Sequence, residues 1–393
     1  MKTWELPIPA RLGTPGSANS RAAANAGPVL TGLIHSPAVP AAGQSITVSL
    51  AASDPDGPAA ITLHYRKDGD DTFSETPMIL ADGRWSAALP GQAAGQVMQF
   101  YARAQDAAGA ASFAPAGGAA SRALAQWQDN QPRALPAHQL RLIMLKADHD
   151  ALFDPFNLLS NEPRPGTLIL REREIFHDVG VTLKGSAAAR ARDGDDYIGY
   201  DLSFPAGQKF RGVHSSIGID RSGRTPTVRR QDEIYVRHTS HRAGLPCPLD
   251  DLCHFIAPGR THTGTAILQL AGYGSVWTAS QYEEDGTVFN LDITYDPTTT
   301  RPAGNVENPK PPSPFVHVGT DLADLGDDKE QYRGPFDIRA GKRRDYYDAL
   351  IRVYQTMALP SAQLATRAPD VLDLDEVFRC TALVNLWGIG DSY

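Results

Sequence analysis

Three consecutive residues of the sequence have the chemistry needed to hold a phosphate group. Lys184, Gly185 and Ser186 follow an alternating apolar segment and begin a turn. A glycine beside a hydroxyl group and a cation lets backbone N–H groups approach phosphate oxygens closely, so this turn is a candidate phosphate-binding nest. The same three residues also suit an ordinary exit from a β-hairpin. The residues by themselves leave both interpretations open.

Asp391 is a second candidate for chemistry. It follows an apolar helical pattern and the break Gly388-Ile389-Gly390. A carboxylate on a loop beyond a packed helix is well placed to act as a general base or as a magnesium ligand. The alternative is an exposed acid that ends a helix and has no catalytic role.

A pair of histidines allows a third, metal-dependent chemistry. His238 and His241 lie three residues apart on a predicted helix, with His254 and His262 downstream. A helical pair of this kind can bind zinc, but no glutamate base is in register with it. The alternative is that these side chains cap the helix and line a loop. The sequence contains no phosphate-loop motif, no G-x-S-x-G, no H-E-x-x-H and no zinc-spaced cysteine pair.

Length, charge and composition restrict the class of protein. The 393 residues correspond to two or three domains. The 37 basic and 45 acidic side chains give a net charge of −8, which argues against nucleic acid as the main partner. No apolar run is long enough to span a membrane, and no signal peptide is visible at the N-terminus. Of the three cysteines, Cys247 and Cys253 could form a disulfide, whereas Cys380 stands alone.

The N-terminal third of the sequence predicts an all-β module. Residues 46–50 and 61–65 alternate between apolar and polar, and Asp/Gly-rich turns follow each of them. Short strands separated by such turns are typical of a β-sandwich, here over residues 28–116. We expect this module to fold by itself. Residues 117–137, rich in small residues and proline, predict a linker.

The remaining sequence, residues 138–393, predicts an α+β domain. Buried or alternating strands are expected at 140–145, 179–183, 198–204 and 289–295, with a helix over 230–243 that Gly244 ends. The Pro-rich segment 296–341 predicts irregular structure. One helix is expected from Asp345. The capping-box pair Asp373 and Glu376 predicts another, whose expected buried residues are Leu374, Val377, Phe378, Thr381 and Val384.

Several segments, in this order and spacing, together resemble the CotH kinase family of spore-coat-type atypical protein kinases. The resemblance covers residues 138–393. It begins with Asp178-Val179-Gly180-Val181-Thr182-Leu183-Lys184-Gly185-Ser186, and ends with Gly390-Asp391-Ser392-Tyr393, which matches the approach to the family's catalytic loop. The segments between are 200–204, 210–212, 231–233, 243–246, 264–268, 285–289, 326–330 and 373–386.

The flanking sequence resembles modules that accompany CotH domains in bacterial surface proteins. Residues 12–19 are similar to the exit from a lamin-tail-like β-domain, so residues 1–27 are interpreted as its remnant and a linker. The module at 28–116 is similar to immunoglobulin or fibronectin type III domains. The fold class expected is therefore multidomain: an Ig/fibronectin-like sandwich followed by an α+β kinase-like domain. The implied location is extracellular or on the bacterial cell surface.

The resemblance implies a Ser/Thr protein kinase that uses ATP with magnesium or manganese. Asp391 would be its catalytic base and Lys184, Gly185 and Ser186 its nucleotide-binding residues, with a Ser/Thr-containing protein as substrate and other surface or coat proteins as further partners. The metal ligands are not identified. The family's His-Asn and Trp-Asp-x-Asp segments, expected beyond Asp391, are missing, so the sequence predicts an incomplete and inactive kinase region.

One strand departs from the family pattern. CotH-like kinases have a lysine-rich strand of the type K-S-Y-K-I-K-F, whereas residues 200–204 here read Tyr-Asp-Leu-Ser-Phe. The usual ATP-contacting lysine has no clear counterpart, and Lys184 or Lys209 could take its place. The alternative function is a non-catalytic extracellular adhesion or scaffold protein with a degenerate kinase fold.

Overall fold

The computed structural model divides the chain into two compact units, Met1–Asp129 and Asn130–Tyr393. The residues that it describes are 16, 25–131, 138–154, 157, 160–185, 198–221, 231–259, 262–270, 272–282, 286–291, 294–295, 317–318, 323–341 and 345–389. Strands are the main element of both units, and the expectation of a multidomain, β-rich chain with some helices is confirmed.

The N-terminal unit consists of two antiparallel sheets that share one core, and is called the N-terminal sandwich below. One sheet has the order β1-β2-β6-β5, with β1 at Val29–Ser36, β2 at Ile46–Ser53, β5 at Ile79–Ala81 and β6 at Arg84–Leu89. The other has the order β4-β3-β7-β8, with β3 at Pro58–Lys67, β4 at Ser74–Pro77, β7 at Val97–Asp106 and β8 at Ala111–Ala114. Alternate residues of both sheets, such as Ile46, Leu63 and Phe100, fill the core between them.

The sandwich extends beyond the predicted boundary at residue 116. Strand β9, Ala123–Gln126, lies within the predicted linker 117–137 and pairs with the first half of β7. Trp127, directly after it, is fully buried in the core and donates its indole N–H to the Gln44 carbonyl at 2.7 Å. Two small residues within the predicted linker, Ala123 and Ala125, have short side chains that face the core.

The C-terminal unit contains a closed seven-stranded barrel, which the sequence did not predict. The strands follow the order β10-β11-β12-β13-β14-β16-β15. Strand β15 pairs in parallel with β10 and closes the barrel, whereas the other neighbours are antiparallel. The strands are β10 His138–Ile143, β11 Arg164–Leu170, β12 Glu174–Leu183, β13 Tyr200–Ser203, β14 Ser216–Asp220, β15 Asp250–Ile256 and β16 Gly264–Gln269.

Successive side chains of each strand point alternately into the barrel and away from it. Val181, Tyr200, Ile219 and Phe255 lie in its interior and are almost fully buried. Helix α1, Lys146–Phe153, connects β10 with β11; helix α2, Gln231–Arg242, lies between β14 and β15 in the chain; and α3, Ser275–Gln281, follows β16. The helix expected over 230–243 is thus confirmed, and Gly244 ends it with a φ of +71°.

Shorter elements follow the barrel and correct two predictions. The strand expected at 289–295 is two strands, β17 Val288–Leu291 and β18 Thr294–Tyr295, which pair with β20 Phe336–Ala340 and β19 His317–Val318 respectively. The segment predicted to be irregular, 296–341, contains β19, β20 and helix α4, Glu330–Arg333. The last part of this segment forms regular structure because its aromatic side chains Tyr332 and Phe336 pack into a small core.

Three helices end the described chain: α5 Asp348–Met357, α6 Ser361–Arg367 and α7 Leu374–Trp387. The predicted cap of α7 is confirmed, since the Asp373 carboxylate accepts the Glu376 N–H at 3.1 Å. The predicted burial of the α7 side chains is wrong: Phe378 is 66% exposed and no residue of the helix is fully buried. A helical apolar pattern shows that a face can pack, but packing also requires a partner surface.

The cysteines do not form the disulfide that was considered. Cys247, Cys253 and Cys380 are all free. Cys253 faces the barrel interior, where burial raises the pKa of its thiol to about 12. Among the described residues, no helix is both long and apolar enough to cross a membrane.

Candidate functional site

The predicted nucleotide-binding turn begins where β12 leaves the barrel. The Lys184 N–H donates to the Gly199 carbonyl at 2.9 Å, which continues the β12–β13 pairing by one residue. Gly185 has a φ of +111°, a conformation that favours glycine, so the chain turns here. Ser186 lies outside the described residues. Lys209, the alternative lysine, is exposed on the connection between β13 and β14.

Polar side chains gather on the outer face of the barrel next to this turn. Lys184, Asp201 on β13 and Asp220 on β14 alternate with inward apolar residues, so all three point away from the interior. Helix α2 adds charged residues to the same face. We call the set the outer-face cluster; it consists of Lys184, Asp201, Asp220, Glu233, Arg237, Asp250 and Gln269.

The strand side of the cluster is held by two polar contacts. The Lys184 ammonium lies 3.9 Å from Asp201 Oδ1, and Gln269 Nε2 donates to Asp220 Oδ2 at 3.5 Å. Gly218 lies between them on β14, and a Cβ there would lie 2.9 Å from Gln269 Oε1 and 3.2 Å from Asp201 Oδ1. The central strand must therefore be small at this position, because its neighbours lean across it.

An ion pair attaches helix α2 to the barrel. Arg237 on α2 pairs with Asp250 at the start of β15, and the Asp250 side chain is only 1% exposed. Burial raises the pKa of Asp250 to about 6, with Glu233 and Asp220 also raising it and Arg237 and Lys184 opposing the shift. The Asp250 carboxyl group therefore loses its proton near pH 6, where an ordinary aspartate is already ionised.

The raised pKa predicts a pH-dependent stability. Between about pH 4 and pH 6 the folded state holds a proton on Asp250 that the unfolded chain releases, so this contribution is present below about pH 4 and is lost as the pH rises through 6. We expect the free energy of unfolding to fall by roughly 3 kcal/mol more in the natural chain than in Asp250→Asn between pH 4 and pH 7. Urea titrations across this range measure the difference.

Asp232→Asn is the matched control for this experiment, because Asp232 is an exposed acid on the same helix. Its stability profile should run parallel to that of the natural chain. Parallel profiles for Asp250→Asn as well would show that the carboxyl group titrates as an ordinary aspartate.

The charges of the cluster determine which ligands fit it. Four carboxylates face two cationic groups, Lys184 and Arg237, and Arg237 is already paired with Asp250. A bare phosphate would be repelled by this excess of acids, whereas a phosphate accompanied by a divalent cation would not. Lys184 is 27% and Asp201 49% exposed at the side chain, so both are accessible to a ligand.

The predicted histidine ligands are not members of this cluster. Asp391 lies outside the described residues; helix α7 ends before it, with Gly388 at a φ of +62°. His241 occupies the last turn of α2, whereas His254 lies on β15. In the part of the chain that the structure describes, no three His, Cys, Asp or Glu side chains are arranged to hold a metal ion.

Sequence reasoning missed Arg237 and Asp250. Their roles depend on a helix that packs against a strand of the barrel, which no local pattern reveals. One signal was present: Asp250 and Asp251 are two acids at the beginning of an otherwise apolar strand. A buried charge at such a position requires a partner, and the nearest upstream helix supplies one.

Comparison with known proteins gives little further guidance. No protein-family model and no curated protein matches the chain. The crystal structure of a Br derivative of BhCBM56 is similar with 14% sequence identity and a TM-score of 0.16, over 18% of this chain and 73% of that one. The cycloalternan-forming enzyme of Listeria monocytogenes is similar with 12% sequence identity and a TM-score of 0.20, over 48% of this chain and 17% of that one. The twitchin kinase region of C. elegans is similar with 12% sequence identity and a TM-score of 0.20, over 61% of this chain and 40% of that one. Similarity this low establishes neither fold nor function.

Proposed function

We propose that residues 138–393 form a CotH-type atypical protein kinase region of a bacterial extracellular or surface protein that transfers phosphate from Mg-ATP to Ser or Thr. Support comes from the order of elements around the outer-face cluster. Gly185 turns the chain after β12, β13 and β14 follow in sequence, and α2 with Glu233 in its first turn precedes β15 and β16. Protein kinases use a glycine loop over the phosphates, a lysine on the third strand, and a glutamate on the following helix.

The ATP-contacting lysine of kinases has no counterpart on the expected strand of this chain, so another lysine would have to take its role. Neither β13, which the resemblance aligns with the family's lysine-rich strand, nor β14 has a lysine, and the central outward position of β14 is Gly218. Lys184 reaches the same face from the end of β12, where it lies beside Asp201. Lys184 would therefore contact the phosphates, with the backbone N–H groups of Gly185 and Ser186 beside it.

Arg237 and Asp250 would position the helix rather than touch the nucleotide. In kinases a Lys–Glu pair joins strand and helix. Here the helix contributes the cation and the strand the carboxylate, and this reversed pair would leave Lys184 for the ligand side.

The metal and the base complete the proposed reaction. Magnesium would neutralise the phosphate charge when bound, and Asp201, 3.9 Å from Lys184, together with Asp220 on the neighbouring strand would be its oxygen donors in the cluster. Asp391 would accept the proton of the acceptor hydroxyl group.

A second function is favoured by the charge of the cluster. Its excess of carboxylates, together with the missing lysine on β13, would suit a kinase-like fold that has lost its nucleotide site. Such a protein would act as a non-catalytic extracellular adhesion or scaffold protein.

Binding of Mg-ATP to the full chain distinguishes the two functions. Mg-ATP is expected to raise the melting temperature, and Lys184→Ala is expected to weaken binding about tenfold because one charge-assisted phosphate contact is lost. Lys67→Ala, an exposed lysine of the N-terminal sandwich, is the control and should bind normally. No shift with millimolar Mg-ATP would overturn the kinase proposal and favour the scaffold.

Asp391→Asn tests the proposed base separately. In the full-length protein, this variant should bind Mg-ATP normally, while its phosphorylation of Ser or Thr falls by ~10²–10⁴-fold. Transfer of radiolabelled phosphate at equal rates by both proteins would remove Asp391 from the mechanism.

A further inference from the structure

Three aromatic side chains lie in a row on the outer face of the five-stranded sheet of the N-terminal sandwich. Phe73 precedes β4, Tyr101 is on β7 and Phe113 is on β8. The ring centroids of Phe73 and Tyr101 are 5.1 Å apart, and those of Tyr101 and Phe113 are 6.1 Å apart. Phe113 is 40% exposed. We call these three residues the aromatic row.

The central ring of the row is held rigidly. His64 on β3 is the direct cross-strand partner of Tyr101, and their rings stack 4.6 Å apart with planes only 2° from parallel. His64 Nδ1 lies 3.3 Å from Glu75 Oε1 on β4, which fixes the imidazole in turn. The row is therefore preformed, so a ligand would not have to order it.

Two arginines flank the row. The Arg66 guanidinium lies 4.5 Å from the Phe73 ring centroid and its Nε donates to Gln99 Oε1 at 2.9 Å. Arg103, opposite Phe113 in the sheet, donates from Nη1 to the neutral Gln105 side chain at 3.4 Å. Within the described residues, neither guanidinium has a carboxylate partner at 4 Å or less.

The charge of this face is opposite to that of the protein. The chain has a net charge of −8, yet its aromatic face has two arginines against the Glu75 carboxylate, which is engaged with His64. A guanidinium group without an acidic partner can bind a carboxylate through two parallel N–H···O hydrogen bonds. This face is thus complementary to an anionic ligand with an apolar surface.

We propose that the aromatic row and its two arginines bind an anionic polysaccharide whose sugar units have carboxylate groups. The exposed ring of Phe113 and the half-buried ring of Phe73 would pack against the C–H faces of sugar rings, while Arg66 and Arg103 would bind carboxylates. Gln105 and Thr62, which are half-buried on the same face, would hydrogen-bond to hydroxyl groups. This activity is independent of the proposed kinase function, since all of its residues lie in the other unit.

Two other partner classes fit this face less well. The centre of a protein–protein interface is depleted in charged residues, whereas here the charged groups lie beside the central ring. Single-stranded nucleic acid requires a basic groove and free aromatic faces, but Glu75 is acidic and His64 covers one face of Tyr101.

Binding of the full chain to polygalacturonate tests the proposal, with neutral dextran as the comparison. In affinity electrophoresis, polygalacturonate should retard the natural chain and dextran should not. Arg103→Gln and Phe113→Ser should each weaken binding by about tenfold or more. Lys67→Gln removes the same charge outside the row, and Ile79→Ser removes an exposed apolar side chain of the other sheet; both should bind normally. Thermal melting confirms that each variant is folded.

The results that would overturn the proposal are specific. Equal retardation by polyglutamate or by single-stranded DNA would show that charge alone is recognised, and retardation by dextran would show that the arginines are not required. Failure to bind polygalacturonate, or unchanged binding by both row variants, would also reject it.

Discussion

Residues 25–131 are expected to fold by themselves, whereas a segment that ends at residue 116 is expected to remain unfolded. The shorter segment lacks Ala123, Leu124, Ala125 and Trp127, all 0% exposed. Loss of a buried tryptophan alone costs about 3–5 kcal/mol, and a whole domain is stable by only about 5–15 kcal/mol. Circular dichroism should show cooperative melting for the longer segment and no melting transition for the shorter.

Ending the segment at residue 116 also removes the hydrogen-bond acceptors of a buried side chain, which strengthens this expectation. The buried Gln99 amide donates to the carbonyls of Ala119 and Ser121, at 2.9 and 2.7 Å, and would lose both acceptors. The control is residues 25–131 with Ile79→Ser, which changes an exposed side chain and should melt like the natural segment. Equal melting temperatures for the two lengths would mean that the sandwich is complete at residue 116.

Glu172→Gln is expected to destabilise the barrel by about 3 kcal/mol, because it removes the charge that compensates a buried guanidinium. The Arg141 side chain is 2% exposed, and its Nη2 lies 2.9 Å from Glu172 Oε1. Burial lowers the pKa of Arg141, and Glu172 opposes that shift. Urea unfolding of the full chain, followed by a probe of the C-terminal unit, measures the change.

Glu174→Gln is the matched control for this substitution. Glu174 is exposed at the start of β12, only two residues away, so it removes the same charge without exposing a buried partner. Its effect should be below about 0.5 kcal/mol. Similar effects of the two substitutions would show that the Arg141–Glu172 pair adds nothing beyond ordinary surface electrostatics.

Local sequence patterns predicted the elements that are defined by contacts close in the chain. The capping pair Asp373 and Glu376 located the beginning of α7, because the hydrogen bond that it predicts spans three residues. Gly244 located the end of α2, since a left-handed residue there requires glycine or its few substitutes. Alternation located β13 around Tyr200 and Leu202, both of which face the barrel interior.

Patterns failed where the partner surface was distant. Phe378 belongs to an apolar helical stripe and is nevertheless exposed, while the small residues of β9 were interpreted as a linker although they fill a core. Burial is a property of two surfaces, and a sequence pattern describes only one of them.

The candidate site divides along the same line. The sequence by itself determined the Lys184-Gly185 turn, because only local backbone geometry and residue type are needed to define it. Only the tertiary structure decided that Lys184 lies beside Asp201, and that Arg237 and Asp250 join helix α2 to the barrel. These contacts depend on barrel closure, which brings strands far apart in the sequence to one face, and on the exclusion of water, which makes a charge require a partner.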